Sequence, residues 1–166
     1  LCVYVDDTIS TKYKARSSSY ERIAETILET ASAKIGNYMV FFPSFEYLNE
    51  VYYRFMGINT GIRTIYQIPG MSEAAREEFL YEFDSFGETS LVGFAVMGGV
   101  FGEGIDLTGD RLSGAIIVGV GLPQLCNERN IIRRHFDDQT GIGFEYAYTY
   151  PGINRVLQAA GRVIRT

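Results

Sequence analysis

The chain has 166 residues, a length that suits one domain, and 46% of them are hydrophobic, enough for a core without disulfide or metal staples. Eighteen glycines against four prolines indicate many tight turns and exclude a collagenous or low-complexity chain. The net charge of −5 argues against a stand-alone nucleic-acid-binding domain, which is usually basic, and no apolar run approaches the ~20 residues of a membrane span.

Residues 2–5 are expected to form a short strand. Ser18-Ser19-Tyr20-Glu21 has the form of a capping box, so a helix is expected to start there, bury Ile23, Ala24, Ile27, Leu28 and Ala31, and stop at Gly36. Residues 38–42 read as a buried strand. A helix follows from Ser44 with Phe45, Leu48, Tyr52 and Phe55 on one side. Residues 62–68 form the next strand, closed by Pro69-Gly70. Ser72 caps a further helix, whose buried face is Ala75, Phe79, Leu80 and Phe83. Residues 91–96 and 115–120 are strands, residues 127–136 a helix, and the last helix runs from about Ile153 to the end. Apolar strands separated by helices predict one α/β domain with a parallel sheet covered on both faces. Ligands of such sheets sit beyond the carboxyl ends of the strands. Pro43-Ser44, residues 97–110 and the approach to the last helix are therefore the informative loops. Cys2 and Cys126 form no CxxC pair, which leaves two free, buried thiols and no metal site. A start on Leu1, the lack of a signal-peptide pattern and an end inside a helical pattern suggest a piece of a longer protein.

The last helix carries the sharpest pattern. At ~100° per residue, Gln158, Arg162 and Arg165 fall within about 60° of one another, with Arg155 beside them. Ile153, Val156, Leu157, Ala160, Val163 and Ile164 occupy the opposite arc, the expected core side. Two forked guanidiniums on a rigid helix suit phosphate oxygens, and phosphoryl transfer needs positive charge at the γ-phosphoryl oxygens. Periodicity alone is equally met by an amphipathic helix with a solvated basic face.

Residues 98–107, Gly-Gly-Val-Phe-Gly-Glu-Gly-Ile-Asp-Leu, follow a strand. The four glycines permit close backbone approach to a ligand, and Glu103 and Asp106 supply two carboxylates. No Gly-Lys-Ser/Thr follows, so the loop is not a P-loop. A plain glycine-rich turn is the alternative. Gly119-Val120-Gly121 begins like a dinucleotide fingerprint, but Gln124 stands where GxGxxG needs glycine. Ser44 opens a helix whose free N–H groups suit a phosphate, or is an ordinary N-cap. Lys12, Lys14 and Arg16 make residues 8–16 locally basic, fit for a nucleic-acid track, a partner domain or plain solvent. Arg129, Arg133, Arg134 and His135 form a second basic cluster, without a catalytic role for the histidine. Tyr146, Tyr148 and Tyr150 are expected to pack around the last helix rather than stack on bases.

Residues 158–165, QAAGRVIR, resemble the QxxGRxxR motif VI of superfamily-two helicases in the form found in the DinG and XPD families. Phe101, Glu103, Gly104, Ile105, Asp106 and Gly109, with the strand 116–118, resemble motif V, and Gly121-Leu122-Pro123 resembles the G-x-P stretch after it. Phe41-Phe42-Pro43-Ser44-Phe45 resembles motif IV. TISTKY at 8–13 is similar to the lead into this domain in the same families. The resemblance implies a RecA-like, P-loop NTPase-type parallel sheet with helices on both faces, without its own Walker A. It would span residues 1–166 as one domain of a larger ATP-dependent DNA helicase moving 5′ to 3′.

By the same resemblance Arg162 and Arg165 are arginine fingers, with Gln158 near the γ-phosphate. Gly104 and Asp106 contact nucleotide and couple it to DNA; Glu103 does the same or only holds the loop. Ser44 and Phe45 lie at the DNA backbone. ATP and Mg²⁺ would be held mainly by the N-terminal motor domain of the same protein. An iron–sulfur cluster, known in many relatives, would lie upstream and not in this chain. The implied partners are that motor domain and single-stranded DNA, with no membrane, a monomeric fragment and a bacterial-type cytoplasmic setting. An RNA helicase of the same superfamily, a Rossmann-like enzyme (opposed by the failed fingerprint) and a non-catalytic interaction module on the same fold stay open beside it.

Overall fold

A computed structural model of the chain describes residues 2–59, 61–84, 87–101, 107 and 111–161. Four strands among these residues form one parallel sheet in the order β2-β3-β1-β4: β1 (Asn37–Phe42), β2 (Arg63–Tyr66), β3 (Leu91–Val96) and β4 (Gly114–Ile117). The helices are α1 (Tyr20–Ala33), α2 (Phe45–Ile58), α3 (Glu73–Tyr81), α4 (Asn127–Thr140) and α5 (Tyr150–Ala160). This is the parallel α/β architecture that the apolar strands predict.

Alternation along the two central strands builds two cores. Tyr38, Val40 and Phe42 of β1, with Val92 and Phe94 of β3, meet Ile23, Ala24, Ile27 and Ala31 of α1 and Tyr47, Leu48, Val51 and Phe55 of α2. On the other face Met39, Phe41, Leu91 and Ala95 meet Phe79, Phe83, Phe101 and Ala159. Phe94 is completely buried, with the rings of Tyr52, Phe55 and Phe42 centred 5.2, 5.4 and 6.1 Å away. Asn37 turns its buried amide into a tie, donating to the carbonyls of Phe83 and Arg111, both at 3.1 Å.

Several expectations are corrected. Residues 2–5 form no strand; Val3, Tyr4 and Val5 are exposed and pair with no neighbouring strand. The capping box is not made. Ser18, the cap in that box, is instead the last residue of a 3₁₀ turn (Tyr13–Ser18) and donates its hydroxyl back to the Ala15 carbonyl at 2.8 Å. The residue that precedes α1, Ser19, has right-handed helical geometry, whereas a cap needs extended backbone. The Ser19 hydroxyl donates to the Arg16 carbonyl at 2.8 Å and lies 3.2 Å from the Tyr47 hydroxyl. Strand β2 stops at Tyr66 because Gln67 turns its side chain into the ladder, where Oε1 accepts the Val96 N–H at 2.9 Å. Strand β4 ends at Ile117, just before the chain turns at Gly119 with φ +70°. Cys2 and Cys126 are free, as expected, but both are exposed rather than buried.

The helix before the C-terminus starts earlier than its hydrophobic period suggests. Helical winding begins at residue 143, passes through a π-helical segment (Glu145–Thr149) and continues as α5. Pro151 explains the irregularity. It has no N–H to give the carbonyl four residues back, so the Ala147 carbonyl is freed from the α-helical pattern. The Arg129 guanidinium donates to that carbonyl at 3.0 Å. Tyr148 is buried and donates to Asn130 Oδ1 at 3.1 Å, and Tyr146 stacks on Phe136 with centroids 4.0 Å apart. Tyr146 and Tyr148 are therefore helical and hold α4 in place. Among the described residues no helix is long and apolar enough to cross a membrane.

Candidate functional site

Because all four strands are parallel, their carboxyl ends share one rim. Beyond β1 comes Ser44, beyond β3 the turn at Gly98, and beyond β4 the stretch 119–122. Pro43-Ser44 and the start of the loop after β3, at residues 97–99, reach this rim as the sequence predicts, whereas residues 102–106 and 108–110 of that loop lie outside the described residues. Ser44 has extended backbone and its hydroxyl accepts the Tyr47 N–H at 3.3 Å, a true N-cap. The first turn of α2 thus presents its remaining N–H groups outward, with Ser44 and Phe45 both half-buried.

Helix α5 lies along the rim with a different face inward than its hydrophobic pattern predicts. Gly152 and Ala159 are buried and Val156 is half-buried, whereas Ile153 and Leu157, expected in the core, are 42% and 62% exposed. Small residues decide the contact. A methyl at Gly152 would come within 2.8 Å of Leu122 Cδ2, 3.1 Å of Val120 Cγ1 and 3.4 Å of the Leu122 backbone, so glycine here lets the helix lie against the stretch after β4 without displacing those side chains. Gln158 is exposed. Arg162 and Arg165 lie outside the described residues, as do Glu103, Gly104 and Asp106 of the glycine loop.

Arg155 departs from the expected row of free cations. It is half-buried and Nη1 donates to the Gly121 carbonyl at 3.0 Å. Its stem covers the turn that opens the glycine loop. Gly98 has φ +68°, and a Cβ there would lie 3.0 Å from Arg155 Nε. One side chain thus joins α5 to the turns after both β3 and β4. Gln67 props the same turn from the other strand edge through its bond to Val96. Sequence reasoning placed Arg155 on the correct helix but with the wrong task, and it passed over Gln67, whose only signal is a polar residue at the end of an apolar strand.

This packing is testable by stability. Gly98→Ala is expected to cost about 1–3 kcal/mol, since it combines left-handed backbone with a crowded methyl. Urea denaturation of Gly98→Ala, Arg155→Ala and the double variant reads the coupling. The double variant should lose clearly less than the sum. Additivity within about 0.5 kcal/mol would show that the two do not press on each other.

The family described as the helicase C-terminal domain matches residues 27–166. The ATP-dependent DNA helicase CHL1 of Candida albicans is 28% identical over 141 residues, covering 79% of this chain and 17% of its own length. The ATP-dependent DNA helicase XPD of Sulfolobus acidocaldarius is 27% identical over 174 aligned positions, covering 98% of this chain and 28% of its own. This chain therefore spans less than a third of either curated relative. Two solved structures, XPD apo and XPD helicase, share its fold with TM-scores of 0.72 and 0.74, each at 21% identity. They cover 93% and 94% of this chain and 31% and 27% of their own.

Proposed function

The chain belongs to the helicase C-terminal domain family, and on that premise we propose that residues 1–166 are the second motor domain of an ATP-dependent DNA helicase similar to DinG and XPD. The intact protein translocates 5′ to 3′ on single-stranded DNA. The observation that carries the reading is the placement of α5. Its inner side is fixed to the turns after β3 and β4 by Arg155 and Gly152, while Gln158 stays exposed. A helix held this way suits the task of aiming rigid charges at a ligand.

The donor set fits one side of a nucleotide. Gln158 offers an exposed amide, Arg162 and Arg165 follow on the same helical arc in sequence, and no Gly-Lys-Ser/Thr is present to cradle the phosphates. The N-terminal motor domain of the same protein holds ATP and Mg²⁺, and ATP supplies phosphoryl transfer to water. Arg162 and Arg165 set fixed positive charge against the γ-phosphoryl oxygens, and Gln158 orients a water or a phosphate oxygen. Gly104 and Asp106, with Glu103 beside them, couple that pocket to the DNA track. Ser44 and Phe45 hold the DNA backbone at the N-terminus of α2. The chain does not fit an iron–sulfur cluster, because its two cysteines are free and exposed and fall short of a four-thiolate set.

Two measurements test the reading. The 166-residue chain alone should show no ATP turnover, whereas the intact protein should turn over ATP and be stimulated by single-stranded DNA. Turnover by the pure chain, with contaminant controls, would overturn the split site. The intact protein should unwind duplexes with a 5′ tail and leave those with a 3′ tail; equal unwinding of an RNA duplex would remove the preference for DNA.

A further inference from the structure

The first turn of the chain carries an exposed ring that neither core uses. Tyr13 opens the 3₁₀ turn and is 79% exposed. Its inner side is not free. The Arg16 guanidinium carbon lies 5.4 Å from the Tyr13 ring centroid and 4.9 Å from that of Tyr47, so one cation is shared by two tyrosine rings. Arg16 also donates from Nε to the Thr11 carbonyl at 3.4 Å. Tyr47 is buried, its hydroxyl paired with Ser19 and its ring met edge-on by Tyr20 at 5.3 Å. Burial pushes the Tyr47 phenol up, against a smaller opposing pull from Ser19 and Arg16, so it stays neutral. Tyr13 is thus anchored through Arg16 to the main core while its outer face looks into water.

We propose that Tyr13, backed by Arg16, is a base-stacking platform for a single strand of DNA, with Lys12 and Lys14 on the adjoining phosphates. The inference rests on the motor-domain reading and adds binding residues to its strand track. Three observations support it. A concavity of about 190 Å³ opens beside the ring, lined by Tyr13, Arg16, Ser17, Tyr20, Glu46 and Tyr47. The charge is right for a polyanion. Among the described residues no ion pair engages Lys12, Lys14 or Arg16, within a chain of net charge −5, and Glu46 is the one carboxylate in the lining. The location is right as well. Thr11 packs against Gly119, where a Cβ would sit 2.9 Å from its hydroxyl, so this segment crosses the rim beyond β4. Tyr47 lies in the first turn of α2, one turn from the Ser44 cap. Aromatic faces beside cations are how single strands are held without sequence preference, since every base has a face to stack.

The test uses the intact protein with fluorescent oligothymidine, and with the same oligomer carrying abasic sugars. Tyr13→Ala should weaken oligothymidine binding roughly 5- to 100-fold, the loss of about one stacked base, and Tyr13→Phe should restore it. Wild type should prefer oligothymidine over the abasic strand, and Tyr13→Ala should lose much of that preference. Lys12→Ala with Lys14→Ala should flatten the slope of log K against log salt by roughly 1.4. ATP hydrolysis without DNA should not change in any of them. Unaltered oligothymidine binding by Tyr13→Ala overturns the platform and leaves the motor reading standing. A joint fall in DNA-free hydrolysis and DNA affinity, with the abasic preference kept, makes Tyr13 a contact to the other motor domain and also overturns it. A wild-type protein without affinity for DNA removes the motor reading and the platform together.

Discussion

Replacing Arg162 or Arg165 by alanine in the intact protein is expected to slow ATP hydrolysis roughly 10³- to 10⁵-fold, the range measured for arginine fingers. That is about 4–7 kcal/mol of barrier. On the proposed split site, ground-state binding rests on the phosphate cradle of the other motor domain, so nucleotide affinity should largely survive. Lysine at either position should rescue poorly, since it keeps the charge but loses the planar fork that meets two oxygens at once. Single-turnover hydrolysis separates the two effects when paired with calorimetric titration of a non-hydrolysable nucleotide. Near-normal hydrolysis by Arg165→Ala would take that residue out of the site. A parallel loss of nucleotide affinity would make it a binding group instead of a group acting on the transition state.

The second large effect concerns the core. Phe94→Ala removes a completely buried ring from the centre of β3, where Phe42, Tyr52 and Phe55 surround it. The expected cost is about 3–5 kcal/mol, a sizeable share of the ~5–15 kcal/mol that holds a domain together. For a chain of this length that lowers the melting temperature by roughly 6–20 °C. Tyr81→Ala is the matched control. That ring is 72% exposed on α3, and its removal should change stability by no more than about 0.5 kcal/mol. Thermal unfolding followed by circular dichroism checks both, and equal shifts in the two variants would refute the assigned core.

The legible parts were those that local chemistry decides. Strand β3 falls on residues 91–96 as its apolar run indicates, and Ser44 caps α2 because its side chain, backbone and position after a strand all point the same way. The buried face of α1 follows its period closely. Illegible were features decided by where one element lands on another. Ile153 and Leu157 have the spacing of a core face, yet close approach at Gly152 turns α5 so that they stay outside. Arg155 looks like one more cation in a row, and only the position of the Gly121 carbonyl shows that it is engaged. Arg129 likewise reads as part of a basic surface, although the carbonyl it satisfies exists because Pro151 withholds an N–H. For the candidate site, motif spacing singled out Ser44, the loop after β3 and Gln158 as candidates, but it could not show that Arg155 beside them is engaged by the Gly121 carbonyl.

The π-helical segment before α5 makes residue count at this point a matter of phase. Such a segment amounts to one extra residue threaded into an α-helix. Within it Ala147 and Tyr148 are fastened to α4; beyond it Gly152 and Ala159 are seated at the rim and in the core. Losing one residue within 145–149 would restore regular winding and swing the two halves by about 100° relative to each other. Only one set of fastenings could then be kept. The segment works like the offset between two gear wheels on one shaft, and Pro151 is the pin that holds it. Related sequences that gain or drop a single residue here should re-dock α4 and leave the aim of Gln158 untouched, because the rim contacts belong to the half that carries the amide.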